Sequence, residues 1–122
     1  MTILTEEPLD PFGVVVTFAP GTPFDGLDAG WLAARAEQAR VVVLRGIAPP
    51  DRLAFCVGAR RLGPLLAWSF GAVNELKVVD DTPNYLYTDR AVPLHWDGAF
   101  VGTPPRFLVF RCLVAPPPGA GG

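Results

Sequence analysis

The 122 residues carry 10 lysines and arginines against 12 aspartates and glutamates, a net charge of -2 at pH 7. Neither sign forms a long block, so nothing here has the electrostatic footprint of a nucleic-acid binder or a membrane-surface binder. Half of the residues are hydrophobic, more than a free-standing domain of this size usually carries, and that excess anticipates further protein to pack against.

The first ten residues hold Glu6, Glu7 and Asp10 but no lysine or arginine. They lack both the basic start and the apolar run of a secretory signal. No stretch of about 18 apolar residues exists, so no membrane span is expected and the cytoplasm is the default location. The two cysteines, Cys56 and Cys112, form no CxxC pair and are expected as buried small apolar residues rather than a disulfide.

In chain order, residues 1–12 read as an irregular lead-in, because Pro8 and Pro11 interrupt regular structure. The β-branched run from Gly13 to Phe18 predicts a strand, and Ala19 to Pro23 a loop. Asp28 is placed to cap a helix running to about Arg40. Val41 to Leu44 predicts a fully buried strand, and Arg45-Gly46 ends it. Pro49, Pro50 and Asp51 suit a helix entry, with Leu53, Cys56, Val57 and Arg60 at helical spacing and Gly63-Pro64 as the stop. Arg60 and Arg61 at the helix end complement its dipole. Glu75 to Val79 reads as a strand, Asp80 to Asn84 as a turn cluster with its aspartates solvated, and Tyr85 to Tyr87 as a short extended piece. Thr103-Pro104-Pro105 breaks the chain. Arg106 to Val114 predicts the strongest strand, with Phe107, Val109, Arg111 and Leu113 on one face and Leu108, Phe110, Cys112 and Val114 on the other. Residues 115–122 read as a flexible tail or as a hairpin loop leading to a further strand.

The chemistry centres on His95, the only histidine, and Asp97. On an extended segment, residues i and i+2 project to the same face, with Trp96 on the opposite side. An imidazole and a carboxylate projecting together supply two of the three protein ligands of a two-histidine, one-carboxylate iron site. Taken alone, the tripeptide also fits a hydrogen-bonded surface or core histidine. Lys77, Tyr85 and Tyr87 precede the pair and are the polar groups best placed to reach a small acidic substrate. A solvated lysine and two packed tyrosines are the more ordinary reading of the three. Phe100 and Trp96 suit a pocket wall or core packing equally. There is no GxSxG elbow and no glycine-rich phosphate loop.

Leu94-His95-Trp96-Asp97-Gly98, the segment from Pro104 to Pro116 and Gly121-Gly122 together resemble the taurine dioxygenase-like (TauD/TfdA) family. Val41 to Gly46, Leu62-Gly63 and Phe70-Gly71 resemble its amino-terminal half. The HWDG form and Phe110-Arg111-Cys112 are most similar to the branch acting on isonitrile-type, amino-acid-derived metabolites. The resemblance runs from Gly13 to Gly122 and implies an iron(II)- and 2-oxoglutarate-dependent dioxygenase using O2, with His95 and Asp97 as metal ligands. Family members run to about twice this length. The second histidine, and the threonine and arginine that grip 2-oxoglutarate, are expected beyond Gly122, so the fragment alone is expected to be inactive.

The fold expected is mixed α/β: a domain over residues 13–122, with two N-terminal helices beside an incomplete double-stranded β-helix (jelly-roll) core. Its last strand should then show an exposed apolar face. The expected partners are a small-molecule substrate and either a second copy of the chain or the missing C-terminal half, with no nucleic acid and no membrane. Two other readings stay open: a non-catalytic remnant of the family, and an unrelated small β-rich binding module.

Overall fold

The computed structural model describes residues 1–77, 91, 94–98 and 101–119. The chain divides into two compact units, Met1–Lys77 and Val78–Gly122.

The first unit is mixed α/β. Its elements are β1 (Ile3–Pro8), β2 (Val14–Thr22), a 3-10 turn at Phe24–Gly26, α1 (Ala29–Ala39), β3 (Val42–Ile47) and α2 (Arg52–Arg60). The sheet order is β1-β2-β3, with β1 antiparallel to β2 and β3 parallel to it. A parallel pair needs a crossover, and α1 supplies it.

The core lies on one face of β2. Val14, Val16 and Phe18 are buried, and they alternate along the strand with half-buried Val15 and Thr17. This is the period-two pattern of a strand with one face in the core. Phe18 is fully buried and meets Trp31 of α1 edge-on, ring centroids 5.8 Å apart. Leu27 and Leu32 complete this cluster. Burying each such side chain stabilises the fold by about 1.5–3 kcal/mol. Beside it, Phe24 of the 3-10 turn packs on Phe55 of α2 at 5.8 Å, and Gly58 of α2 lets the Phe24 ring approach the helix. A Cβ on Gly58 would lie 2.6 Å from Phe24 Cε1.

α1 starts as its sequence predicts, at Asp28; α2 starts one residue after Asp51, with Pro49 and Pro50 before the helix rather than in its first turn. The Asp28 carboxylate accepts from the Trp31 N–H, and the Asp51 carboxylate accepts from the Ala54 N–H, each at 2.7 Å. These bonds satisfy donors that a helix start otherwise leaves unpaired. Asp28→Ala and Asp51→Ala are each expected to lower stability by about 1 kcal/mol, seen as a lower urea midpoint at unchanged slope. Unchanged midpoints for both would mean the caps contribute nothing. α1 ends at Arg40, which has φ +71° and donates its N–H to Ala36 O at 2.8 Å.

Several expectations need correction. Residues 3–8 form a strand, not an irregular lead-in. Pro8 sits at the end of an edge strand, opposite Val14, where its missing N–H costs no ladder bond in the interior. β1 is largely exposed, and Glu6 and Glu7 give it the charge that discourages edge-to-edge pairing. Glu6 also pairs with Arg35 of α1 at 2.5 Å, a surface contact worth at most about 1 kcal/mol. β2 continues through residues 19–22, expected as loop. The Thr22 hydroxyl donates to Ala19 O at 2.7 Å there.

β3 is half-buried rather than fully buried, because it lies at the end of the sheet with a neighbour on one side only. Arg61 does more than face the helix dipole: its guanidinium donates to the carbonyl oxygens of Asp25 and Leu27. Cys56 is half-buried and Cys112 exposed, both as free thiols.

Residues 75–77 lie in no strand. The rest of that expected strand, the turn at 80–84 and the extended piece at 85–87 lie outside the described residues. In the second unit, residues 106–114 also form no strand, since a strand exists only where its N–H and C=O groups meet a neighbour. Exposure nevertheless alternates from Pro105 to Phe110, with Phe107 and Val109 half-buried and Leu108 and Phe110 exposed. Leu108, Phe110 and Val114, apolar residues of one predicted face, are exposed, and so is Leu113 of the other. No helix among the described residues is long and apolar enough to cross a membrane.

Candidate metal centre

His95 and Asp97 lie in the second unit, in a loop that turns at Asp97-Gly98 rather than on a paired strand. The strand rule placed both side chains on one side, and the turn brings them together by another route. His95 Nε2 stands 3.4 Å from Asp97 Oδ1, and the side chains are 50% and 43% exposed. The flanking Leu94 and Trp96 are exposed as well.

This separation suits two neighbouring ligands of one ion. Donor atoms each about 2.1 Å from a metal and adjacent in an octahedron lie about 3 Å apart. A closure of a few tenths of an ångström would bring the pair to that spacing. The donor chemistry also fits: imidazole nitrogen with carboxylate oxygen suits a first-row divalent metal such as iron. Among the described residues no group of three or more histidine, cysteine, aspartate or glutamate side chains converges. An ion held by this pair would therefore need further ligands from elsewhere.

Gly98 was read only as part of the HWDG form and Pro105 only as a chain break; neither was assigned a role at the site. Gly98 is buried, has φ +85°, and lies against the Pro105 ring. The Val101 N–H donates to Gly98 O at 3.1 Å. The signal was present in the glycine that follows the ligand pair and in the proline pair at 104–105, but their meeting is not written in any local pattern. Of the other expected site residues, Lys77 is exposed in the first unit. Tyr85, Tyr87 and Phe100 lie outside the described residues, as do Asp80 and Asp81.

Comparison with known proteins gives relatives named for isonitrile or isocyano compounds. The chain is 40% identical over 115 residues to a 3-((Z)-2-isocyanoethenyl)-1H-indole synthase of Fischerella ambigua, covering 93% of this chain and 42% of that protein. It is 36% identical over 104 residues to a tyrosine isonitrile desaturase of Pseudomonas aeruginosa, covering 84% and 36%. A tyrosine isonitrile desaturase of Erwinia amylovora is 33% identical over 126 residues, covering 98% and 42%. The chain thus spans about two fifths of the length of these relatives. No solved structure matches it. The family profile for taurine catabolism dioxygenases matches residues 5–122, which sets aside the reading as an unrelated β-rich module. The chain belongs to the TauD/TfdA family of taurine catabolism dioxygenases.

Proposed function

We propose that these residues form the amino-terminal part of an iron(II)- and 2-oxoglutarate-dependent dioxygenase that oxidises an isonitrile derived from an aromatic amino acid. In this reading the complete polypeptide closes a double-stranded β-helix core. The observation that carries the proposal is the 3.4 Å approach of His95 Nε2 to Asp97 Oδ1, in a chain whose relatives are named for isonitrile desaturation and isocyanoethenyl-indole synthesis.

Iron bound there would couple oxidative decarboxylation of 2-oxoglutarate to substrate oxidation. For a desaturation, two hydrogens leave the substrate, O2 ends partly in water, and succinate and CO2 are released. The chain's own residues do the positioning. His95 offers a neutral nitrogen donor, and Asp97 offers a donor with one negative charge, which offsets half of the charge of a divalent ion. Side by side, they would hold the ion together with a third protein ligand and leave its remaining positions to the oxo acid and O2.

Lys77 is the candidate partner for a substrate carboxylate, and Tyr85, Tyr87 and Phe100 are candidates to line an aromatic substrate. With one histidine in 122 residues, the two-histidine set needs a second histidine from other polypeptide. The 122 residues alone are therefore expected to give no turnover. Their expected partner is the polypeptide carrying that histidine, whether a continuation of the chain or a separate one.

The test uses the product of the complete reading frame that carries these residues, assayed for 2-oxoglutarate-dependent succinate release with tyrosine isonitrile. His95→Ala and Asp97→Ala should each lower turnover about a hundredfold or more, since even residues that only orient a metal ligand cost 10- to 100-fold. Turnover retained in both variants would overturn the assignment. Succinate release by the isolated 122-residue chain would overturn the claim that it needs a partner.

A further inference from the structure

Gly98 is the one buried residue of the second unit among the described residues. A Cβ on it would lie 2.6 Å from Pro105 Cδ and 3.3 Å from Pro105 Cγ, with Val101 Cγ2 at 3.6 Å. Its φ of +85° belongs to the left-handed region, where glycine is favoured. The Val101 N–H holds the Gly98 carbonyl from the other end of the turn, at 3.1 Å. Both members of the ligand pair are about half exposed. What is fixed is the backbone immediately after Asp97, against a proline ring that is itself rigid.

We propose that Gly98 and Pro105 form a brace that sets the direction of the Asp97 carboxylate and hence its distance from His95. Gly98 and Pro105 are positioning residues; neither touches the ion. The brace is a claim about the metal-free loop, and its consequence for metal affinity rests on the proposed iron site. Replacing a residue that orients a metal ligand without touching the ion typically costs about 10- to 100-fold in metal affinity. The brace therefore has leverage although it contributes no ligand.

The test exploits shape. Gly98→Ala drives a methyl into the Pro105 ring, and Pro105→Ala removes the ring and leaves a gap. In Gly98→Ala with Pro105→Ala, the new methyl occupies the space the ring vacated. The full 122-residue chain is used, with two readouts. The first needs no metal: the nuclear Overhauser contact between the His95 ring protons and the Asp97 β-protons. The second is the affinity for Mn(II), read from broadening of the His95 ring resonances.

Each single substitution should weaken the Overhauser contact and lower the Mn(II) affinity about tenfold, and the double substitution should lose clearly less than the two losses combined, the strain of an alanine at φ +85° remaining in it. Two residues with merely separate structural roles would give losses that add, and additive losses or no losses overturn the brace. The same less-than-additive pattern in the Overhauser contact, with no Mn(II) effect in any protein, would support the brace and sink the iron site instead.

Discussion

Gly46→Ala is expected to lower the stability of the first unit by about 3 kcal/mol or more, and to remove the cooperative urea transition if the wild-type margin is small. Two separate costs act at this position. Gly46 has φ +79°, a conformation that an alanine adopts only under strain. A Cβ there would also meet the main chain of β2, 3.0 Å from Phe18 C, 3.3 Å from Ala19 O and closer still to Phe18 O. Main-chain atoms cannot swing aside as a side chain can.

The reason for the crowding is the register. β2 pairs with β3 residue for residue up to Thr17 and Arg45. It then runs from Thr17 to Thr22 while β3 advances only from Arg45 to Ile47. The extra residues of β2 bulge over Gly46, and the fully buried Phe18 sits at the root of that bulge. Relieving the clash means parting the two strands beside the core. Gly21→Ala provides the control. It has a comparable φ of +84° with nothing within 4 Å of the new methyl, so it reports conformational strain alone, about 1 kcal/mol. Urea unfolding followed by far-ultraviolet circular dichroism compares the two. Equal losses would show that the close approach of β2 to Gly46 does not exist in solution.

The same contrast explains how much of the molecule was legible in the sequence. Local rules read well. The inward face of β2, the aspartates that start both helices and the glycine-proline stop after α2 all stand where residue-by-residue chemistry puts them. β1 was missed because Pro8 and Pro11 were weighed as breakers, whereas Pro8 ends an edge strand, where it is tolerated, and Pro11 lies beyond it. The β2 bulge was missed because register is set between strands, and nothing near Gly46 in sequence announces Phe18. Arg106 to Val114 has a legible period of two, and exposure alternates through its first half, but a ladder needs a second strand that no local pattern can supply.

At the candidate site the spacing of His95 and Asp97 pointed to a shared side. The structure brings the two together through a turn instead of a strand, and Gly98 of that turn lies against a proline seven positions on. Family membership added what spacing could not, because a lone His-x-Asp has many innocent explanations.

The second large effect is expected from the ligand pair itself. In the 122-residue chain, Mn(II) should broaden the ring resonances of His95, the only histidine signals the protein has, at far lower concentration than in Asp97→Ala. Two protein ligands make a weak site, so the informative quantity is the ratio between variants. Removing the carboxylate takes away the donor that carries charge, and a loss of about tenfold or more is expected, equivalent to about 1.4 kcal/mol or more.

Asp97→Asn and Asp97→Glu divide the cause. Asn keeps the shape and one oxygen but loses the charge. Glu keeps the charge but carries its oxygens one methylene further out, away from the 3.4 Å spacing that the pair now has. A hard divalent ion held by oxygen and nitrogen donors needs both charge and position, so both variants should bind more weakly than the wild type. His95→Ala, followed by the water-proton relaxation of Mn(II) because its ring signals are gone, should match Asp97→Ala. Equal Mn(II) affinity across the wild type and all four variants would mean that the imidazole and the carboxylate meet without forming a chelate, and the iron assignment would then have lost its physical basis in this chain.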